Sequence, residues 1–245
     1  LGVQGNACEI TSMNLQVLHE DNHLIAVNKP AGILTQGDDT GDLPLGEYVK
    51  EYIKFRYKKP GDVFLGVIHR LDRPVSGAMV FARTSKALSR MNQLFKDREV
   101  QKTYFAITRE RPSPILGSLT HYIGKDRKRN VAKAFAKMSN QARDLKAKKS
   151  SLDYELIGEV DNRCLLRVKP HTGRPHQIRV QLAEIGCPIV GDVKYGYDQP
   201  NHDGSIHLHC RSLSFIHPVK KQPVTIVADP PEELLWRTFD PVLGI

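Results

Sequence analysis

Short runs of alternating apolar and polar residues, broken by Gly, Pro, Asn and Asp, dominate this chain and predict strands joined by turns. Leu15–His19 and Leu24–Val27 read as paired strands around the turn residues Asp21 and Asn22. Leu45, Val49, Tyr52 and Ile53 mark one face of a helix that ends before Pro60-Gly61. Val63–Ile68 and Ala78–Ala82 are apolar enough for strands. Thr84 or Ser85 then caps a helix with Leu88, Met91, Leu94 and Phe95 turned inward. Val100–Thr108, Leu152–Ile157, Cys164–Lys169, Ile206–His209, Leu213–Ile216 and Val224–Val227 complete the strands, and Glu232–Thr238 reads as a short terminal helix. Hairpin-like runs outnumber strand–helix–strand units. That predicts an α+β fold, a mainly antiparallel mixed sheet with flanking helices.

At 245 residues the chain is long enough for a substantial core and reads as one domain over residues 15–245, preceded by an extension or remnant at 1–14. No apolar run approaches the length of a membrane span, and the start lacks the pattern of a signal peptide. Cys8, Cys164, Cys187 and Cys210 show no Cys-x-x-Cys spacing, which points to reduced thiols and a cytoplasmic setting. The net charge is +9, and the segment 125–149 carries ten Lys or Arg against Asp126 and Asp144. Such a basic insertion suits a polyphosphate partner, although a solvated loop has the same composition.

Two constellations carry candidate chemistry. His69-Arg70-Leu71-Asp72-Arg73-Pro74-Val75-Ser76-Gly77 sets one carboxylate between two arginines in a segment that Pro74 and Gly77 mark as a rigid loop. Adjacent guanidinium groups favour an ionised acid, suited to attack or to charge stabilisation. A solvated charged turn is the plain alternative. Downstream, Lys169-Pro170-His171-Thr172-Gly173-Arg174-Pro175-His176-Gln177-Ile178-Arg179 leads into a helix with Pro175 as its first residue, Ile178, Leu182 and Ile185 at helical spacing, and Gly186 at its end. Arg174 and Arg179 then sit near amide groups that attract anions. The plain alternative here is an amphipathic helix with a polar outer face.

In order along the chain, Lys29-Pro30-Ala31-Gly32, His69-Arg70-Leu71-Asp72, Lys102-Thr103-Tyr104-Phe105-Ala106 and Thr172-Gly173-Arg174-Pro175-His176-Gln177-Ile178-Arg179 resemble the RluA family of RNA pseudouridine synthases. The resemblance runs from about Leu15 to Pro230. Val75 departs from a frequent Thr, and Pro175 from a usual Thr or Ser. It implies the pseudouridine synthase catalytic fold and an enzyme that flips a uridine of rRNA or tRNA out of its stack. Asp72 would act on the ribose, as nucleophile or as base, with no cofactor. Tyr104 would stack on the uracil and serve as, or relay to, the base for the final proton. Arg179 would pair with Asp72, and Ile178 would press on the base. Arg70 would fill the space the uridine left. Lys29, Arg174, His176 and Gln177 are further substrate-binding candidates, and Lys125, Arg127, Lys128 and Arg129 candidates for the RNA backbone. The resemblance implies no membrane and no obligatory protein partner. Many relatives carry a small RNA-binding domain before the catalytic part, for which there is no room ahead of Leu15.

Other functions stay open at this point. A nucleoside hydrolase or base-releasing glycosylase would also act at C1′, and would release free uracil. A non-catalytic RNA-binding protein on the same fold would not need Asp72, Tyr104 and Arg179 together. An anion-binding protein with incidental charged loops would lack RNA affinity in moderate salt. His202, His207, His209, Cys210 and His217 can be drawn as a metal site, but His207 and His209 alternate on a strand and no Cys-x-x-Cys supports them. No metal is expected.

Overall fold

A computed structural model describes residues 14–37 and 41–244. Most of the 1–14 extension, with Cys8, lies outside the described residues. Within them, eleven strands form one sheet. The chain enters through β1 (Val17–Glu20) and β2 (Leu24–Lys29), crosses α1 (Leu45–Arg56), and returns through β3 (Gly66–Val67) and β4 (Ser76–Ala82). Then follow α2 (Ser85–Lys96), β5 (Gln101–Thr108), β6 (Leu116–Asp126), β7 (Val131–Phe135), α3 (Asn140–Asp144), β8 (Lys148–Val160) and β9 (Arg163–Pro170). The last part is α4 (Gln177–Glu184), β10 (Leu208–Ile216), β11 (Pro223–Val227), α5 (Leu234–Arg237) and α6 (Asp240–Leu243). Along the sheet the order is β1-β2-β4-β10-β5-β9-β8-β6-β7, with β3 on β4 and β11 on β10. Every pairing is antiparallel except β4 with β10, so the mainly antiparallel mixed sheet holds.

Period-two patterning explains the middle of the sheet. In β2 and β4, Leu24, Ala26, Ala78, Val80 and Ala82 face one core with α2 and α4, while Ile25, Val27, Met79 and Phe81 face another under α1. Leu45, Val49 and Ile53 bury the stripe of α1 that their spacing predicts. Thr84 caps α2, its hydroxyl accepting the Ala87 N–H at 3.2 Å.

The structure differs from the sequence pattern in four places. Val63–Ile68 is strand only at Gly66–Val67. Ile206–His209 is strand only from Leu208, and it runs on with Leu213–Ile216 as one strand, β10, whose register slips between Cys210 and Ser212. Gly77 belongs to β4 rather than to the loop before it. A Cβ there would lie 2.4 Å from the Cys210 backbone, so glycine allows the parallel approach of β10. The largest difference is between Arg109 and Ala147, where no element was expected. The basic stretch is folded: β6 and β7 form a hairpin whose turn carries Arg127, Lys128 and Arg129, and Asp126 accepts the backbone N–H of Lys128 and Arg129 at 3.0 and 3.1 Å. The inward side of β7 is Ala132 and Ala134, residues without strand preference, which hid the alternation.

Candidate active site

The segment from Ile68 to Val75 is held from both sides. Leu71 and Val75 are buried in the core, and the turn Asp72–Val75 is closed by the Val75 N–H on the Asp72 carbonyl at 3.0 Å. Thr35 donates to the Leu71 carbonyl at 3.0 Å. The His69 ring stacks on Phe95, with centroids 5.0 Å apart, and its Nε2 accepts the Val80 N–H at 3.0 Å. Burial, then nearby Lys102, pushes His69 down to about 3, so it is neutral and serves as an acceptor.

Lys29 secures the same loop from below. Its Nζ donates to the carbonyls of Val75 at 2.7 Å, Pro30 at 3.0 Å and Arg73 at 3.2 Å, and the residue is fully buried. An ammonium enclosed by backbone carbonyls holds the loop, a structural role beside the substrate contact expected of Lys29. Burial lowers its pKa to about 7, offset in part by Asp72. The unfolded chain keeps this proton up to about 10.5, so between pH 7 and 10.5 it binds more protons than the folded chain. On this group's account, stability rises with pH across that window. Lys29→Met leaves the Val75 and Pro30 carbonyls without that donor, while Arg73 keeps the Gly32 N–H at 2.8 Å, and is expected to destabilise by about 2–4 kcal/mol near neutral pH. Denaturant titrations should show the gap between parent and variant widening up to pH 10.5; a constant gap would contradict the depressed pKa.

Asp72 emerges from this loop into a cleft of about 2010 Å³. That exceeds the ~300–1,000 Å³ of small-molecule pockets and suits a segment of a polymer. Its partner is not a sequence neighbour. Arg73 turns to the Gly32 carbonyl (2.9 Å) and Asp42 (2.7 Å), and Arg70 lies exposed with Nη1 3.5 Å from Gln36. The cation on Asp72 is Arg179 of α4, whose Nη1 donates to Oδ2 at 3.0 Å. Arg179 is itself gripped from behind: Nε and Nη2 donate to the two oxygens of Asp192 at 2.7 and 2.9 Å. Burial by itself would lower the Arg179 pKa, but the Asp192 hydrogen bonds and then Asp72 raise it above the ordinary value. A fixed cation between two carboxylates therefore orients the one that faces the cleft.

The helix that supplies Arg179 begins at Gln177, two residues later than expected, after His176 in a left-handed conformation at φ 55°. Gln177 closes this entry. Its Oε1 accepts the Thr172 hydroxyl (2.7 Å) and the Arg174 N–H (3.1 Å), and its Nε2 donates to the Ser151 carbonyl (3.0 Å). The Gln177 amide is thus engaged in holding the loop, beside the substrate contact expected of it. Residues 177–182 of α4 are all buried, so no polar outer face exists there. Ile178 joins the core and lines the cleft.

Tyr104 is half-buried on β5, directly across from Cys210 of β10. Burial, followed by Cys210 and then Asp72, raises its pKa well above the ordinary value, so the hydroxyl keeps its proton. Tyr104, Arg70, Arg174, His176 and Lys125 line the same cleft as Asp72; Arg127, Lys128 and Arg129 stand on the exposed hairpin turn outside it. Lys102, two residues before Tyr104, also lines it, with no hydrogen bond or ion pair among the described residues. Burial and Arg98 lower its pKa, Cys210 opposing between them.

Sequence reasoning missed Asp192 and Tyr195. Both lie in Gly191-Asp192-Val193-Lys194-Tyr195-Gly196, a one-turn 3-10 helix between two glycines at positive φ. An acid and a tyrosine three residues apart between glycines was the available signal. Three of the four histidines drawn as a metal site have protein partners instead. His207 meets Glu233 at 2.8 Å, His209 meets Ser76 at 2.8 Å, and His217 faces Asp21 at 3.0 Å.

A clamped aspartate paired with a buried arginine, in a wide cleft also lined by a tyrosine and several cations, suits a polyanionic ligand. Comparisons with known proteins make the class specific. The family profile described as RNA pseudouridylate synthase matches residues 23–184. Ribosomal large subunit pseudouridine synthase C of Rickettsia prowazekii is 36% identical over 181 residues, covering 74% of this chain and 56% of that protein. tRNA pseudouridine synthase C of Vibrio cholerae is 31% identical over 232 residues, covering 87% of this chain and 90% of that protein. Human RNA pseudouridylate synthase domain containing 4 shares the fold, with TM-score 0.73 at 24% identity over 94% of this chain and 93% of its own. The chain belongs to the RNA pseudouridylate synthases, isomerases of uridine in RNA, in the RluA family its motifs resemble.

Proposed function

We propose that this chain converts uridines of ribosomal or transfer RNA to pseudouridine, with Asp72 acting on the ribose. The observation that carries this reading is the Asp72–Arg179–Asp192 array, which presents one charged carboxylate at the base of a cleft wide enough for a flipped nucleotide and its flanks. The reaction breaks the N1–C1′ bond, turns the uracil, forms C5–C1′ and releases the C5 proton. Asp72 takes charge at C1′ or accepts a ribose proton, and either act consumes its negative charge. Arg179 holds it in place through the hydrogen bond to Oδ2. The Tyr104 ring stacks on the uracil, and its hydroxyl, protonated in the free enzyme, takes the C5 proton only while handing on its own. Arg70, exposed at the mouth, fills the vacated place in the RNA stack. Arg174 and Lys102 meet phosphates from within the cleft.

Both target classes come from relatives, one named for ribosomal and one for transfer RNA, and the cytoplasm is where such substrates would be met. Among the described residues no helix is long and apolar enough to cross a membrane. Unmodified transcripts of large-subunit rRNA and tRNAs, incubated with the purified chain and mapped for pseudouridine, test the reading. Defined sites should appear that are missing from RNA of a strain lacking the gene. Absence of pseudouridine in both classes would contradict it.

The hairpin turn makes a separate prediction. Replacing Arg127, Lys128 and Arg129 by Gln should flatten the slope of log affinity against log salt by about 0.7–0.9 per lost phosphate contact. The single-turnover rate at saturating RNA should change far less. An unchanged slope would mean the hairpin charge is merely solvated.

A further inference from the structure

Asp72 Oδ2 has two neighbours with protons to give. Arg179 Nη1 lies at 3.0 Å and His176 Nε2 at 4.0 Å, whereas Oδ1 has no hydrogen bond among the described residues. His176 is tied to Tyr195, whose hydroxyl lies 2.6 Å from its Nδ1. That hydroxyl also accepts the Ala132 N–H of β7 at 2.8 Å, and the Tyr195 ring packs on the Arg179 guanidinium at 5.0 Å. If His176 carried its proton on Nδ1, the phenol would accept two N–H groups and its own O–H would have no acceptor. Tyr195 is only partly buried, but an O–H left without an acceptor there would forgo the hydrogen bond that the 2.6 Å contact offers. The phenol therefore donates to Nδ1, which leaves the His176 proton on Nε2, the atom nearest Asp72.

We propose that His176 is a second, uncharged hydrogen-bond donor to Asp72 Oδ2, and that Tyr195, itself tied to β7 through the Ala132 N–H, is the positioning residue that fixes its tautomer. This rests on the reading of Asp72 as the group that acts on the ribose. With both donors on Oδ2, Oδ1 is the oxygen that reacts. The opposite tautomer would set an imidazole lone pair against a carboxylate lone pair and let Asp72 turn. Burial lowers His176 to about 4; Asp72 opposes this, and Arg179, Lys125 and Lys194 add to it, so the ring is neutral at pH 7. A neutral donor holds Asp72 without adding charge to a site that already carries three cations. At 4.0 Å the contact is longer than a hydrogen bond in the free chain, and catalytic hydrogen bonds commonly tighten in the complex.

The test combines spectroscopy and kinetics on the full chain. Proton–nitrogen spectra of histidine-labelled protein, with His176 assigned by its loss in His176→Gln, should show the Nε2–H form. Tyr195→Phe should shift it towards Nδ1–H. Single-turnover rates are read on a transcript the parent modifies. His176→Ala should be slower by about 10- to 100-fold, the range for a hydrogen bond to a charged group. RNA affinity should move by less than about 3-fold. His176→Gln, which keeps an N–H near the Nε2 position, should recover at least about 5-fold of that loss. An Nδ1–H form in the parent overturns the proposal, as does equal slowing by Ala and Gln or a loss confined to RNA affinity. Turnover by Asp72→Asn would instead remove the underlying reading, whatever His176 does.

Discussion

Asp72→Asn is expected to lose pseudouridine formation by on the order of 10⁴-fold or more, the scale on which removal of a reacting group acts. The folded structure should survive the change. Asn keeps an oxygen for the Arg179 hydrogen bond at 3.0 Å, and Arg179 retains both bonds to Asp192, so no buried cation is abandoned. The Leu71 and Val75 anchors and the Lys29 clamp involve no atom of the Asp72 side chain. RNA affinity should therefore change by less than about 3-fold, because phosphate contacts and base stacking supply it. Filter binding and single-turnover assays on the same transcript separate the two effects. Measurable turnover by the variant would take Asp72 out of the reaction.

Tyr104→Phe should be the second most damaging change, and its damage should depend on the substrate. Phenylalanine keeps the ring that stacks on uracil and keeps packing against the core beside β10. What is lost is the hydroxyl, whose proton is retained in the free enzyme because burial, Cys210 and Asp72 all disfavour a phenolate. Bond breakage at C1′ and rejoining at C5 should go on, and removal of the C5 proton should slow by about 10²–10⁴-fold, the usual scale of a positioned proton acceptor. A 5-fluorouridine transcript has no proton at C5, so parent and variant should process it at similar rates up to the rejoined product. Equal loss on both substrates would place the hydroxyl before the rearrangement.

The sheet was legible wherever apolar residues alternate on a backbone buried from both sides, as in β2 and β4, and α1 and α2 were legible from helical spacing and the Thr84 cap. β7 and α3 were not, because the side chains they turn inward, Ala132, Ala134 and Ala142, are alanines set among lysines, arginines and amides, a composition equally that of a loop. The two motifs with chemistry were visible as residue types, and the resemblance tied Arg179 to Asp72. Local sequence suggested a different cation, since Asp72 lies between Arg70 and Arg73. Those side chains point to Gln36 and to Asp42, because the tight turn 72–75 sends its neighbours outward. Lys29 shows the limit from the other side. A lysine in a basic RNA-directed chain reads as a phosphate contact, and only the structure shows it enclosed in carbonyls. Asp192 went unseen because its value lies wholly in its position behind Arg179, and position is what a single sequence does not print.

The central claim is that the cleft isomerises uridine, with the uracil rejoined rather than released. It is tested most directly with RNA carrying tritium at C5 of uridine, incubated with the purified chain. The account predicts one tritium released to water per pseudouridine formed, with no free uracil and an intact RNA backbone. Free uracil with an abasic site would instead mark a base-releasing glycosylase and contradict it.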